Sequence, residues 1–332
     1  MSQTYSTSET KPSVSVQLSR LFSKSGLLLA VILLFIGLVA FAPNFLSSRN
    51  LLNVLLAISF NGIIACGMTL MIIEGDIDVS VGSAVAWSSS LLGVLVIQQG
   101  WPLSLAVIVV ILQGAVIHAV AGYIRVRWLI PSFVLTLSLF MILRGSGRLI
   151  TNAFPVTPFP EGFEFWGSGS IPILGLNIPV PGLLMLLVFA LFYVISTRTV
   201  YGRSVYCVGG NENASHLSGI SVWRTRIITF ALVGALSAFA GILLSSRIQA
   251  GSSNIALGLE FEVIAAVIIG GTSLMGGSGS IIGTFLGVVF IGLIGNGMVL
   301  MGVSPFAQEV ARGVIILVAV FVSVIQRPKV ER

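Results

Sequence analysis

Residues 51–83 read LLNVLLAISFNGIIACGMTLMIIEGDIDVSVGS. The first part, Leu51–Ile73, is uncharged and apolar, and it is long enough to cross a membrane, which takes about 20 such residues. A second apolar run starts at Val81, and the short stretch between the two runs holds three carboxylates: Glu74, Asp76 and Asp78. Charges so close to two spans are costly unless they line a pathway or a polar interface. The stretch therefore predicts two membrane helices joined by a short, broken polar segment.

The composition extends this membrane character to the whole chain. Of 332 residues, 56% are hydrophobic and only 8% are charged. A soluble domain carries about 25% charged residues. So few charges exclude a water-soluble enzyme and a nucleic-acid-binding protein. The formal net charge of +6 reflects basic residues at predicted membrane edges, because they form no basic patch of the kind that binds nucleic acid.

The apolar runs predict an all-α integral membrane protein with about ten transmembrane helices, some of them broken or short. The predicted spans are Gly26–Ala42, Leu51–Ile73, Val81–Ile97, Leu103–Tyr123, Ile130–Ile150, Ile178–Ser196, Ile227–Ser246, Leu257–Gly271, Ile281–Met301 and Phe306–Ile325. The run Leu257–Gly271 is short, and we expect either a tilted span or a re-entrant segment there.

Basic residues set the predicted orientation, since cytoplasmic loops of membrane proteins carry an excess of Lys and Arg. Lys11, Arg20 and Lys24 precede the first span, which places a polar tail, residues 1–25, in the cytoplasm. Ten spans then return the C-terminal tail, residues 327–332, to the cytoplasm. Residues 26–326 form one predicted transmembrane domain. It has two long connections, 151–177 on the outer side and 197–226 on the inner side.

Polar residues inside or beside the predicted spans are candidates for a solute pathway or a gate. They are Asn61, Glu74, Asp76, Asp78, Ser80, Ser83, Trp87, Glu260, Glu262 and Asn296. Structural roles compete with this interpretation. Asp78 or Ser80 is suited to cap the third span, and Asn61, Trp87 and Asn296 to form hydrogen bonds between helices. Glu260 and Glu262 are expected at the outer mouth or in an ion pair with Arg247 or Arg312. His118 is expected to be a buried, hydrogen-bonded structural residue.

Three glycines spaced four residues apart, Gly279, Gly283 and Gly287, predict a small-residue face for close helix packing. The surrounding run has the wrong spacing for a dinucleotide-binding motif.

The chain offers little for chemistry of its own. Its lysines are Lys11, Lys24 and Lys329, and none follows a glycine, so it has no P-loop lysine for ATP. Its two cysteines and two histidines show no metal-ligand spacing. No paired nucleophile and base stands out within a span, which argues against an intramembrane enzyme. We therefore expect no catalytic residue, no metal and no cofactor bound by this chain.

Three motifs resemble those of the permease subunits of bacterial ABC sugar importers of the ribose, xylose, arabinose, galactose and autoinducer-2 type. Residues 75–83, GDIDVSVGS, resemble the segment G-x-I-D-L-S-V-G-S. Residues 201–222, YGRSVYCVGGNENASHLSGISV, are similar to G-R-x-x-x-A-x-G-G-N-x-x-A-A-x-x-S-G-I-x-V. Residues 259–279, LEFEVIAAVIIGGTSLMGGSG, are similar to E-L-x-x-I-A-A-V-V-I-G-G-T-S-L-x-G-G-x-G. The likeness runs in order from about Phe41 to the carboxyl end, and one departure is Asp76, where many members carry Gly.

The resemblance implies a permease in the bacterial inner membrane that moves a monosaccharide or related small polar solute. It implies three protein partners: an ATP-binding subunit that holds ATP and Mg, a periplasmic substrate-binding protein, and a second permease copy, identical or homologous. In this family a short helix of the inner loop docks on the ATPase, here near 211–218, with Asn211 as N-cap and Glu212 in the first turn. The implied coupling residues are Gly202, Arg203, Gly209, Gly210, Asn211, Glu212, Ala214, Ser218 and Gly219.

An ion-coupled secondary transporter is the alternative function. In that case the carboxylates of the two polar clusters, near residues 74–78 and 260–262, would bind the coupling ion. Transport by the lone chain under a proton gradient distinguishes the two.

Overall fold

The computed structural model describes residues 14–173 and 175–325. The helices are α1 (Val14–Phe41), α2 (Ser48–Ile73), α3 (Val81–Gly93), α4 (Leu103–Trp128), α5 (Ser132–Thr151), α6 (Glu164–Ser168), α7 (Val180–Arg198), α8 (Val200–Gly210), α9 (Glu212–Leu217), α10 (Val222–Ile248), α11 (Leu259–Ile269), α12 (Ile281–Leu300) and α13 (Pro305–Ile325). One π-helical turn, Val94–Gln98, continues α3. Two short strands, β1 (Ser170–Ile173) and β2 (Leu176–Pro179), form an antiparallel hairpin.

Seven helical stretches of the described chain are long and apolar enough to cross a membrane. They are α2, α3 with its π-helical turn, α4, α5, α7, α10 and α12. The apolar part of α1, Gly26–Phe41, is shorter. The protein is therefore a helical, multi-pass membrane protein, and the small hairpin is the part that departs from an all-α fold.

Helix α11 covers most of the predicted eighth span, Leu257–Gly271. It has 11 residues, which at 1.5 Å per residue reach about 16 Å, roughly half the apolar thickness of a bilayer. Gly258, with φ of 76°, precedes its first residue, and Gly270 follows its last. The element is one of the short helices that the sequence predicts, and the helix by itself is too short to cross the apolar layer.

The two long connections are also more ordered than predicted. Residues 151–177 contain α6 and most of the hairpin, whose register pairs Ser170 with Pro179. Residues 197–226 contain α8, α9 and the first turn of α10. At the amino end, α1 starts at Val14, inside the predicted polar tail 1–25. Residues 1–13 and the predicted tail 327–332 lie outside the described residues.

Helix α2 forms the centre of the molecule. From Ser59 to Ile73 every residue except Asn61 is buried. A largely apolar helix that is covered on all sides belongs in the core of a bundle. By contrast, Ile108, Leu112, Val116 and Val120 lie exposed along one face of α4. Such an apolar stripe suits contact with lipid tails.

Close helix contacts depend on glycine. Gly114 of α4 faces Gly234 of α10, and a methyl group at Gly114 would lie 2.7 Å from the Gly234 carbonyl oxygen. The predicted small-residue face of α12 lies against α11 and the loop after it: a methyl group at Gly287 would collide with the Ala266 carbonyl, and one at Gly283 with that of Gly270. Gly279 lies before α12 and contacts Thr272 instead. Small residues let these backbones approach closely.

Candidate functional site

The segment between α2 and α3, residues 74–80, is irregular and lies inside the protein. Gly75 has φ of 85°, a left-handed conformation that favours glycine, so the chain can turn directly after α2. Two backbone amides of the segment, which have no helical hydrogen bond here, donate to side-chain hydroxyls of α5. The Ile77 amide donates to Ser132 Oγ at 3.2 Å, and the Val79 amide donates to Thr136 Oγ1 at 3.2 Å. Helix α5 therefore fixes the path of the broken segment.

Asp76 is buried between two arginines. Its side chain is 1% exposed, and its Oδ1 accepts from Arg125 Nε at 3.0 Å. Its Oδ2 lies 3.2 Å from Arg226 Nε. Arg125 comes from the end of α4 and Arg226 from the start of α10. A buried carboxylate requires such partners, because an isolated charge in an apolar interior is very costly.

Arg226 extends this contact to α9. Its Nη1 and Nη2 donate to Glu212 Oε1 and Oε2, at 3.1 and 2.8 Å. Asn211 caps α9, since its Oδ1 accepts from the Ala214 amide at 2.9 Å. Both the helix and its N-cap lie where the sequence predicts them. The chain of charges from Glu212 through Arg226 to Asp76 joins distant parts of the sequence, and no sequence pattern predicts it.

Asp78 has a different set of partners. Its Oδ1 accepts from the Ser80 amide at 2.7 Å and from the Ser80 hydroxyl at 2.5 Å. Its Oδ2 lies 3.3 Å from His118 Nε2, and His118 Nδ1 lies 3.0 Å from the Gly114 carbonyl oxygen. His118 is thus buried and hydrogen-bonded, as predicted. Ser80 occupies the N-cap position of α3, but its side chain makes no capping hydrogen bond there.

Three further candidates are buried: Glu74, Ser83 and Glu260. In each of them at least one side-chain oxygen forms no hydrogen bond with a described residue. Glu260 lies in the first turn of α11 against α3, where a methyl group at Gly82 would collide with its Oε2. The nearby Arg144 donates to the carbonyl oxygens of Ser253 and Ile255 at 2.9 and 2.7 Å, which fixes the chain that leads into α11.

A cavity of about 650 Å³ lies among α2, α11, α12 and α13. We name it the amide cavity, because its polar lining includes the side chains of Asn50, Asn53, Asn61, Asn296 and Gln308.

Glu262 lines the same cavity and contacts two of its neighbours. One oxygen accepts from Arg312, and the other accepts from Asn61 Nδ2 at 2.7 Å. The predicted ion pair with Arg312 is therefore present. Arg247 instead lies over the Phe60 ring, 5.5 Å from its centroid.

The remaining predicted pathway residues serve helix contacts. Asn50 and Asn296 exchange two amide hydrogen bonds, 3.0 and 2.8 Å long, which join α2 to α12. Trp87 Nε1 donates to Gln113 Oε1 at 2.7 Å and joins α3 to α4, away from the amide cavity. Hydrogen bonds between helices are the structural role predicted for Trp87 and Asn296 from the sequence.

Residues 199–219 form a compact helical unit against α2. A methyl group at Gly209 would collide with the Ile73 carbonyl, and one at Gly202 with that of Ile195. Tyr201 donates to or accepts from the Thr229 hydroxyl at 2.6 Å, and burial raises the pKa of its phenol above the usual range. The structure thus packs α8 against the ends of α2, α7 and α10.

The face of this unit that lies away from α2 is exposed. Gly210, Asn211, Glu212, Ala214, Ser218 and Gly219 are exposed, and so is Arg203, which forms no ion pair among the described residues. Gly219 ends the unit with φ of 83°. Leu217, in the last turn of α9, is 87% exposed. Leu217 is not among the coupling residues predicted from the sequence. A leucine within such a polar stretch is nevertheless a signal for a contact surface.

The described part of the chain holds no group of three or more His, Cys, Asp and Glu side chains that could bind a metal.

Comparison with known proteins gives the family. Residues 50–322 match the family described as branched-chain amino acid transport system / permease component. The chain belongs to this permease family. It is therefore a transporter subunit, and the three motifs of the sequence analysis lie within the matched region.

The permease is similar to curated proteins over most of their length. It is 47% identical over 307 residues to the probable ABC transporter permease protein YphD of Escherichia coli. This alignment covers 92% of the chain and 91% of YphD. It is 38% identical to the ribose import permease protein RbsC of Bacillus subtilis, over 90% of this chain and 91% of RbsC. It is 35% identical to the L-arabinose transport system permease protein AraH of E. coli, over 93% of each chain. No solved structure matches the chain.

Proposed function

We propose that this chain is the membrane-spanning subunit of an ABC importer that moves a monosaccharide or related small polar solute across the bacterial inner membrane. One observation carries the geometric side of the proposal. The exposed helix α9 is tied, through Glu212, Arg226 and Asp76, to the broken segment between two buried membrane helices. A movement of α9 therefore displaces polar backbone inside the membrane domain.

The solute class follows from the relatives. RbsC and AraH are named for ribose and L-arabinose, and each aligns with nearly the whole chain. The family description names branched-chain amino acids, but the sequences that align over about nine-tenths of this chain include sugar permeases. A sugar is thus the first solute to test.

The energy for transport comes from a partner in this proposal. An ATP-binding subunit holds ATP and Mg and receives α9, with Leu217 and Glu212 on the docking face. A periplasmic substrate-binding protein delivers the solute to the opposite side, and a second permease copy completes the pathway. In this arrangement the chain has about ten spans, with both termini in the cytoplasm.

The ionic contacts support this function over an ion-coupled secondary transporter. An ion-coupling carboxylate must release its partners in order to bind the ion. Asp76, Asp78 and Glu262 are each held by a basic partner: Arg125 and Arg226, His118, and Arg312, respectively. Glu74 and Glu260 form no ion pair among the described residues, so a substitution of Glu74 distinguishes the two mechanisms.

Reconstitution tests the function directly. The chain is placed in liposomes with the ATP-binding and substrate-binding subunits that co-purify with it, and uptake of radiolabelled D-ribose, L-arabinose and L-leucine is measured. We expect accumulation of a sugar only when hydrolysable ATP is enclosed with the ATPase. Uptake of leucine alone would contradict the solute class. Sugar uptake by the lone chain under a proton gradient would contradict the ATP-driven mechanism.

A further inference from the structure

We infer that the amide cavity binds a neutral, polyhydroxylated solute of monosaccharide size. The inference rests on the proposed function, since it assumes that such a solute enters this chain. The volume of about 650 Å³ lies within the range of about 300–1,000 Å³ that small-molecule sites occupy.

The position of the cavity suits a solute in transit. Along α2 its lining runs from Asn50, near the first turn, to Asn61, near the middle of the helix. At 1.5 Å per residue this is a depth of about 16 Å. The ion pair of Glu262 with Arg312 lies at the Asn61 end. The cavity thus begins at one end of the helices and stops about halfway along them.

The chemistry of the lining suits hydroxyl groups. A side-chain amide offers a donor and an acceptor, as a sugar hydroxyl does. Asn61 donates its Nδ2 to Glu262, and Gln308 donates its Nε2 to the Val303 carbonyl oxygen at 2.9 Å. The amide oxygens of these two residues remain as acceptors within the described structure. The side chain of Asn53 forms no hydrogen bond with any described residue and contributes both a donor and an acceptor.

The charges argue against an amino-acid ligand. A free amino acid carries an ammonium group, and a buried site for it needs a carboxylate. Glu262 is the acidic residue among the described residues that line the cavity, and both of its oxygens are engaged, by Arg312 and Asn61. An ammonium group would have to displace one of these partners. The lining also includes Arg247, which lies over the Phe60 ring and provides no group for an ammonium ion. A neutral polyol leaves the ion pair intact.

Protection from alkylation tests the inference. The full transporter carries Asn53→Cys in a Cys207→Ser background, because Cys207 is exposed and Cys66 is buried. A membrane-impermeant maleimide labels the new cysteine in the presence of D-ribose, L-arabinose or L-leucine. We expect one of the sugars to slow labelling about tenfold at ten times its dissociation constant, because the unoccupied fraction of the site is one divided by one plus that ratio. Leucine should leave the rate unchanged.

Two comparisons make the test specific. Asn254→Cys is the matched control: Asn254 is also an exposed asparagine but does not line the cavity, so sugar should not slow its labelling. Adding Asn61→Leu to Asn53→Cys should raise the sugar concentration for half protection about tenfold. The sugar hydroxyl that pairs with the Asn61 amide would then be buried without a hydrogen-bond partner. If that variant does not fold, Gln308→Leu replaces it, with the same expectation.

The outcomes separate the two proposals. If the wild-type transporter accumulates a sugar but no sugar protects Asn53→Cys, the cavity is not the binding site, while the proposed function stands. Equal protection by leucine would overturn the solute class of the site. Accumulation of no sugar at all would overturn the proposed function itself.

Discussion

Arg226 binds Glu212 through two hydrogen bonds, from Nη1 to Oε1 at 3.1 Å and from Nη2 to Oε2 at 2.8 Å. This two-point contact of guanidinium and carboxylate restricts orientation as well as distance. The side chain of Arg226 is 6% exposed and that of Glu212 is 46% exposed. A buried arginine of α10 thus fixes the position of an exposed residue of α9, the helix proposed to dock on the ATPase.

Replacement of Glu212 by alanine should weaken coupling without unfolding the chain. We expect stimulation of ATPase activity by loaded binding protein to fall about fivefold, since a half-exposed ion pair contributes up to ~1 kcal/mol. Basal ATPase activity and co-purification of the subunits should persist. Glu161→Ala, at an exposed residue of the loop after α5, serves as the control. Equal stimulation of the two variants would show that Glu212 has no part in coupling.

Replacement of Asp76 by asparagine should destabilise the protein. The change leaves Arg125 and Arg226 facing each other without the carboxylate, and breaking a buried ion pair costs about 3–5 kcal/mol. We expect a lower apparent melting temperature for the purified permease in detergent. The double variant Asp76→Asn/Arg125→Gln should recover part of the loss, because it removes one of the unpaired cations. Additive losses in the double variant would mean that the two side chains act independently.

The seven long apolar helices and the polar break after α2 could be predicted from the sequence, because both are local patterns. An apolar run of the length of α2 and a glycine directly after it, Gly75, are signals within a few residues of each other. The same holds for α9, where Asn211 lies in front of a short polar helix. The early start of α1 was missed, because it lies at the edge of an apolar run, where hydropathy changes gradually.

The partners of the polar residues could not be predicted, because they come from distant parts of the chain. Asp76 meets Arg125 and Arg226 only when the end of α4 and the start of α10 reach the same place. From the sequence alone, these arginines are predicted only as cations at the cytoplasmic ends of the spans. The amide cavity likewise requires the packing of α12 against α2 and of α13 against α11. The hydrogen bond between Asn61 and Glu262 joins residues that are far apart in the sequence, so no local pattern predicts it.

The contact of α12 with α11 should be sensitive to a single methyl group. Gly287→Ala places that group against the Ala266 carbonyl oxygen, and overpacking of this kind costs about 1–3 kcal/mol. Gly295→Ala is the matched control in the same helix, since no atom lies within 4 Å of the added carbon. We expect a lower melting temperature for Gly287→Ala and an unchanged or higher one for Gly295→Ala. Equal effects of the two changes would contradict the close packing of this face.

Leu217 should contribute to docking of the ATP-binding subunit. It is 87% exposed at the end of α9, and burying a leucine in an interface gains about 1.5–3 kcal/mol. Leu217→Ser should therefore weaken co-purification of the ATPase by roughly tenfold or more in apparent affinity. Phe154→Ser removes another exposed apolar side chain, 74% exposed, from the loop after α5 and should have no effect. Retention of the ATPase by Leu217→Ser would place the docking contact elsewhere.

Glu74 separates ATP-driven transport from ion-coupled transport. It is buried directly after α2, near Thr229 and Arg226, and neither carboxylate oxygen forms a hydrogen bond of normal geometry with a described residue. In an ion-coupled transporter such a carboxylate is the natural proton carrier, and Glu74→Gln would abolish transport. In the ABC importer proposed here the same change removes only the cost of burying an acid. It should preserve ATP-driven sugar uptake within about twofold and leave the melting temperature equal or higher.

The measurement for Glu74 compares sugar uptake into proteoliposomes with enclosed ATP for wild type, Glu74→Gln and Asp76→Asn. The last variant is the matched control, because Asp76 is just as deeply buried but is held by two arginines. We expect uptake to survive Glu74→Gln and to fall with Asp76→Asn, since only Asp76 connects the broken segment to α4, α10 and, through Arg226, α9. Loss of uptake in Glu74→Gln, with a normal amount of folded protein, would favour ion coupling over the mechanism proposed here.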